Sequence, residues 1–343
     1  MWADIIYAHN KLFNEETILG VFKLFAAGAF STLIVAPPGY AADASKFPAK
    51  SIRMVVPFAP GGNIDITART VSAAMSEILG QNILVDNRAG AGGTIGSEIV
   101  AKSPADGYTV LMGSNSVYGV APNLYKNVYN PARDFAGVSI LTSVPFVLVV
   151  HPSVPAKNVK ELVAVANTKK GLLTLAYPGI GSTNHLVGEL FQIAIGVRMT
   201  GVPYKGSGPA LVDLIAGRVD ALMDQLTSSI EYIQSGRIRP IAVTTNQRSQ
   251  ALPKVATMAE SGLKGFDVTT STGILVPAGT PRAAIDRLNA AALEALRRPA
   301  VRNRFTSLGA DVVGSTADQF TAYVRDDFAK WGKVIKYANI KID

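Results

Sequence analysis

From Ile52 onward, short apolar runs and amphipathic stretches take turns along the chain, and this alternation restricts the architectures it can adopt. Ile52–Phe58 is an apolar run of strand length, and Ile64, Ala68, Val71, Met75 and Ile78 follow it at helical spacing. The change of period recurs. Strands are expected over Asn82–Val85, Tyr108–Met112, Val144–Val150, Leu172–Tyr177, Val202–Tyr204, Ala221–Asp224, Ile238–Thr244 and Gly273–Val276. Helices are expected over Ser97–Ala101, Val159–Thr168, Leu186–Ile195, Pro209–Ala216, Ile230–Ser235, Arg282–Leu296 and Ala317–Asn339. The pattern predicts an α/β protein with a largely parallel sheet or sheets.

A chain of 343 residues, 48% of them hydrophobic, can build one large or two medium domains. Two features favour two. A strand, a glycine turn and a helix start follow one another early, in APGGNID, and again in the middle, in YPGIGSTNH. The strand through Pro145–His151 runs on with no turn, so it can cross between domains, and Gly265–Pro281 can cross back. No Ser/Gly-rich linker intervenes, so the hinge is expected to be built from strands. The expected division is 45–145 with 267–343 as one domain and 146–266 as the other.

The first 44 residues differ. Lys23, the apolar run Leu24–Ala36 and the small-residue site Ala42-Asp43-Ala44 read as a secretory signal. The competing reading is an uncleaved anchor over Ile18–Ala36, which Lys23 interrupts. Without residues 1–44 the net charge rises from +8 to about +10. The basic residues are scattered, so no nucleic-acid partner is expected, and a field that attracts small anions fits better. With no cysteine in the chain, disulfide, thiol and Cys-metal chemistry are excluded.

The first turn of a helix has four amides without partners in the helix, at the positive end of its dipole. In APGGNID, Gly61 and Gly62 let a ligand approach that backbone, Asn63 can cap the helix and Asp65 falls in its first turn. The same residues also make sense as a plain capped turn. In YPGIGSTNH, Gly181 precedes Ser182, Thr183 and Asn184, each able to cap or donate, and the helix begins near His185. NRAGAGGTIG has four glycines in ten residues but matches no phosphate-loop pattern, and reads as a surface turn or a wall of a cleft. Ser114, in GSNS, follows the C-terminal end of a strand, where open α/β sheets place ligands. Tyr204 and Lys205 lie on a strand-to-helix loop, and Asp224 ends the next strand. Lys205 is expected to be a solvated cation, and Asp224 either a site residue or a capping carboxylate.

The catalytic inventory is thin. The histidines are His9, His151 and His185, and no G-x-S-x-G, HExxH or EF-hand pattern occurs. His185 with Asp65 or Asp224 is the one acid–base pairing on offer, against its ordinary role as a donor in a helix's first turn. No metal or cofactor is expected.

Taken together, APGGNID, NRAGAGGTIG, PADGYT, GIGSTNHLVGELF, VPYKGSGPALVDLIAGRVD, VPAGTP and FAKWGKVIKYANIKID, in this order, resemble the Bug family. These are the substrate-binding proteins of tripartite tricarboxylate transporters. The resemblance covers nearly all of residues 47–343. It implies an α/β, two-domain periplasmic-binding-protein fold (type II-like), with domains joined by strand hinges that close like a trap. It also implies a periplasmic monomer that binds a small organic acid and meets a membrane permease transiently. The family's ligands are mostly di- and tricarboxylic acids, acidic amino acids and aromatic acids. Its first glycine loop corresponds to Phe58–Asp65 and its second to Gly179–His185; ligand contact is also carried to Ser114, Tyr204 and Asp224. Many members have an aromatic pair where this chain has Ser271 and Thr272, which implies a smaller or more polar wall. The other readings are a ligand sensor for a two-component kinase and an enzyme of similar shape using His185.

Overall fold

The computed structural model describes residues 47–126, 128–169 and 172–342. The signal expected over 1–44 lies outside the described residues. In chain order the first elements are β1 (Ile52–Val56), α1 (Asn63–Leu79), β2 (Ile83–Asn87), α2 (Thr94–Ala101) and β3 (Thr109–Ser114), then a π-helical turn over Ser116–Val120. Next come β4 (Phe135–Val150), α3 (Val159–Lys169), β5 (Thr174–Tyr177), α4 (Thr183–Ile195) and β6 (Thr200–Pro203). They are followed by α5 (Ser207–Ile215), β7 (Ala221–Gln225), α6 (Leu226–Gln234) and β8 (Arg239–Val243). The chain then forms β9 (Thr269–Pro277), α7 (Arg282–Arg297), α8 (Pro299–Ser307), β10 (Asp311–Val312) and α9 (Ala317–Ala338).

Local chemistry accounts for the ends of these elements. α1 stops at Gly80 and α4 at Gly196, each with φ of 68°, a left-handed conformation that glycine adopts without a Cβ clash. α9 opens with a capping box between Thr316 and Gln319. Along α1, Ile64, Ala68, Val71 and Met75 are buried as their spacing predicts, and full burial of an aliphatic side chain of this size contributes about 1.5–3 kcal/mol.

The sheet order is β2-β1-β3-β9-β4-β7-β5-β6, with β8 and β10 also on β4. β2, β1 and β3 run parallel, and so do β7, β5 and β6. The middle does not: β9 is antiparallel to β3 and β4, and β4 is antiparallel to β7 and β8. The expectation of a largely parallel sheet is therefore corrected to a mixed one. A strand that leaves one half and another that returns from the other must point in opposite directions where they lie side by side.

β4 is 16 residues long. It pairs with β9 as far as Pro145↔Thr269 and with β7 from Phe146↔Gln225, so one strand belongs to both halves of the molecule. Its first part, Phe135–Ser143, was not foreseen because almost every residue there is buried, which erases the alternation that marks a half-exposed strand. Beyond Pro145, Val147 and Val149 enter one hydrophobic cluster, and Phe146, Leu148 and Val150 the other. This is the two-residue period of a strand with a core on each face. α9 reaches both clusters, through Phe320 and Val324 and then through Trp331, Val334 and Ile335. Among the described residues no helix is long and apolar enough to cross a membrane.

Candidate functional site

The cleft between the halves is built from helix starts. β1 delivers the chain into Pro57–Gly62, where Gly61 has φ of 87° and donates its amide to Asp65 Oδ2 at 3.0 Å. Gly62 occupies the cap position of α1 with no side-chain cap, so Asn63 is the first helical residue and not the cap anticipated from sequence. The Asn63 amide instead spans the molecule. Its Nδ2 donates to Thr272 Oγ1 at 3.0 Å, and its Oδ1 accepts from Thr227 Oγ1 at 2.7 Å. Thr272 thus holds the Asn63 side chain through its hydroxyl.

Opposite α1 stands the start of α5. A Cβ added to Gly208 would lie 2.1 Å from the Pro60 carbonyl oxygen, and one added to Gly62 would meet Ser207 Cβ at 3.4 Å. The two helix starts abut only because side chains are missing, and the Ala59 amide closes the contact by donating to the Lys205 carbonyl at 3.0 Å.

α4 is capped by Ser182, whose hydroxyl accepts from the His185 amide at 3.3 Å and donates to the Gly179 carbonyl at 2.7 Å. The Thr183 amide donates across the cleft to Ser116 Oγ at 3.0 Å, and the two hydroxyls lie 3.1 Å apart. Asn184 and Gln225 face each other with their amides exchanged, at 2.8 and 3.1 Å, and Gln225 is the cap residue of α6. Four helices, α1, α4, α5 and α6, therefore begin around one cleft.

These starts enclose a niche of about 20 Å³, lined by Phe58, Gly62, Asn63, Asp65, Ser116, Pro178, Asn184, Ser207 and Gln225 among others. No lysine or arginine lines it among the described residues. Its one charged group, Asp65, is paired with Arg69 at 3.0 Å. Burial pushes the Asp65 carboxyl up, but the Arg69 guanidinium and the Gly61 and Asn87 amides outweigh burial and hold it below the ordinary carboxylate value. Attraction for an anion must come from backbone amides and helix dipoles. Beyond Phe58 and Pro178, which line both spaces, lies an outer chamber of about 310 Å³. A larger cavity of about 650 Å³ opens on the crossing strands near Ser271 and Tyr323 and shares no lining residue with either.

Other residues singled out from sequence sit behind the niche. Asp224 is fully buried and accepts the hydroxyls of Ser207, Ser228 and Ser229 at 2.5, 2.7 and 2.7 Å. Burial raises its pKa despite those donors. Ser114 is buried at the end of β3, where its Oγ accepts from the Ser116 amide. Tyr204 lines the outer chamber and donates to Asp213. A Cβ on Gly181 would strike the Tyr125 ring at 2.6 Å, and Tyr125 in turn donates to the Ile180 carbonyl. His185 accepts the Gly181 amide on Nδ1 at 3.2 Å, which places its proton on Nε2, and burial lowers its pKa although Glu189 opposes this. The structure pairs His185 with neither Asp65 nor Asp224. Ser207 and Gln225 escaped the sequence reading, and in GSNS the residue that lines the niche is Ser116 rather than Ser114. The Gly206–Gly208 turn before α5 repeats the glycine signal of the other two loops and carried the missed clue to Ser207.

Two α/β halves sharing crossing strands, with helix starts gathered around the cleft between them, define a periplasmic-binding-protein fold. The chain belongs to the tripartite tricarboxylate transporter family receptors, whose family model matches residues 67–340. It is 38% identical over 331 residues to protein BugT of Bordetella pertussis, covering 96% of this chain and 99% of that one. Among solved structures, periplasmic binding protein BugD aligns with a TM-score of 0.83 at 36% identity, covering 86% of this chain and 99% of that one. An R. palustris protein determined with adipate gives the same TM-score, identity and coverage. MatC of Rhodopseudomonas palustris with bound malate gives a TM-score of 0.80 at 34% identity, covering 84% of this chain and 100% of that one.

Proposed function

We propose that this protein is a periplasmic, monomeric solute receptor that captures a small carboxylate between its two halves and presents it to the membrane permease of a tripartite transporter. The observation that carries this reading is the convergence of four helix starts on a niche that, among the described residues, no lysine or arginine lines. Adipate and malate in the related structures support the ligand class. We divide the chain at the point where β4 changes partners, into 45–145 with 267–343 and 146–266.

The energetics suffice. A helix end contributes roughly 0.3–1 kcal/mol to an anion when exposed and up to about 2 when partly buried. Charge-assisted hydrogen bonds add about 1.5–3 kcal/mol each. Several together reach micromolar binding, about −8 kcal/mol, after the entropy lost on association. The acid contacts both halves only when they are closed, so binding shifts the population toward the closed form. His185, neutral and engaged by the Gly181 amide, serves the loop; no step of chemistry is assigned to it.

A thermal-shift screen of the purified protein against a carboxylate library tests the reading. A true ligand at about 100 times its dissociation constant adds about 2.7 kcal/mol to stability and is recovered unchanged. Shifts produced only by cations or neutral sugars, or conversion of the acid to a product, would overturn it.

A further inference from the structure

The ribbon that joins the halves has two faces, and the niche lies on one of them. β4 and β9 pair Ser143 with Ser271 and Pro145 with Thr269, and all four residues line the cavity of about 650 Å³. The alternate pairs, Thr142 with Thr272 and Val144 with Thr270, point to the other side, as successive strand residues do. Thr272 is the residue bonded to Asn63, which lines the niche. The large cavity is therefore on the reverse face of the ribbon, away from the helix starts.

Its walls come from both halves: residues 245–251 on one side, and Arg302, Thr306 and residues 309–313 on the other. Arg302 and Thr306 are one turn apart on α8 and so share a face. Each wall carries both signs of charge. Arg248 stands with Asp267, which Asn246 ties to that wall at 2.6 Å, and Arg302 stands opposite with Asp311. Arg248 is paired with Glu260, but both side chains are nearly half exposed, and such surface pairs are weak. Arg302 and Asp311 make no ion pair among the described residues. Two arginines and two aspartates cancel, so the cavity has no net pull on an anion or a cation. A molecule with one charge would meet a like charge on each wall, whereas a molecule carrying both charges finds a partner for each. The cavity has the size of a small-molecule site.

We propose that this cavity is a second binding site, for a small zwitterion whose ammonium and carboxylate bridge the two walls, and that its occupancy favours the shut cleft. The coupling rests on the proposed closing of the halves about the ribbon. Two spaces on opposite faces of one ribbon change in opposite senses, so the rotation that opens the cleft narrows the cavity behind it. A zwitterion that fits the wide cavity binds the shut form better. By reciprocity, an acid in the cleft strengthens the hold on the zwitterion by the same factor.

Titration calorimetry of the purified protein with glycine, 4-aminobutyrate, 6-aminohexanoate and glycylglycine, alone and with saturating adipate or malate, tests both parts. At least one zwitterion is expected to bind. Arg302→Gln and Asp311→Asn, both at exposed positions, are each expected to weaken it about tenfold. The zwitterion is expected to bind together with the dicarboxylate and to tighten it about fivefold or more. Four outcomes overturn the proposal: no binding by any of the four zwitterions, binding that both substitutions leave unchanged, mutual exclusion with the dicarboxylate, or an unchanged dicarboxylate affinity. If a zwitterion binds through Arg302 and Asp311 while no carboxylate binds at all, the second site is upheld and the reading of the cleft as a carboxylate receptor falls instead.

Discussion

The Thr183 amide, at the start of one half's helix, donates its hydrogen bond to the Ser116 hydroxyl of the other half at 3.0 Å. A helix start that sequence alone offers to a ligand is thus satisfied by the protein itself when the cleft is shut. The two sides of the cleft are tied by further hydrogen bonds, from the Thr227 hydroxyl to Asn63 and from the Ala59 amide to the Lys205 carbonyl.

Replacing Ser116 by alanine tests this. In the closed form the Thr183 amide loses its acceptor and is buried, which costs about 1–3 kcal/mol, whereas in the open form water reaches it. Ligand affinity is expected to fall about tenfold or more by titration calorimetry. Small-angle scattering of the free protein should show a larger radius of gyration. Unchanged affinity would mean that the bond contributes nothing to closing.

Gly208→Ala should block closure without harming the fold. Its new methyl would sit 2.1 Å from the Pro60 carbonyl oxygen, and backbone on both sides leaves no easy escape. Alanine suits a helix better than glycine, so the free protein should melt within about 0.5 kcal/mol of wild type. Affinity for the acid should drop by about 100-fold or more, some 2.7 kcal/mol. A variant that binds normally would show that the halves need not touch here.

Asp65 links the cleft to acid stability. Its folded pKa is depressed, since Arg69, Gly61 and Asn87 together outweigh burial. Its contribution is therefore complete above the ordinary carboxylate value and is lost as pH falls through the depressed one. Asp65→Asn should lower stability at neutral pH by about 1–2 kcal/mol, a range reduced because Arg69 is half exposed. It should also flatten the acid limb of a urea-denaturation series.

Asp327 behaves in the opposite sense. Burial raises its pKa to about 6, against the pull of Lys330 and Asn115, and its Oδ1 has no hydrogen-bond partner among the described residues. The folded protein keeps this proton after the unfolded chain has lost it, so stability falls as pH rises from about 4 to 6 and levels off above. Asp327→Asn should remove that slope and raise stability at pH 7 by roughly 1–3 kcal/mol. Denaturant titrations across this range will show it, and an unchanged slope would refute it.

How much of this was legible in the sequence depended on distance along the chain. The helix of Asn63–Leu79 and the cap at Ser182 rest on neighbours a few residues apart, and periodicity or turn chemistry reveals such features. The partners of Asn63 are Thr227 and Thr272, and no local pattern announces them. Asp224 was noticed at its strand end, but the three hydroxyls that enclose it, from Ser207, Ser228 and Ser229, become neighbours only after folding. The helix Pro299–Ser307 was missed because its sequence, PAVRNRFTS, buries only Val301 and Phe305 and shows little apolar face.

β4 crosses from one half to the other, paired with β9 as far as Pro145 and with β7 and β8 beyond it, and it carries register shifts between Gly137 and Ser139, between Ile140 and Thr142 and between Leu148 and Val149. Such irregularities add twist to a ribbon while keeping it ordered. On the proposed reading, opening and shutting flex the ordered strand β4, and little of the solute's grip is lost to ordering that strand. On that reading, a partner that recognises the loaded protein would read a change of angle between its two halves.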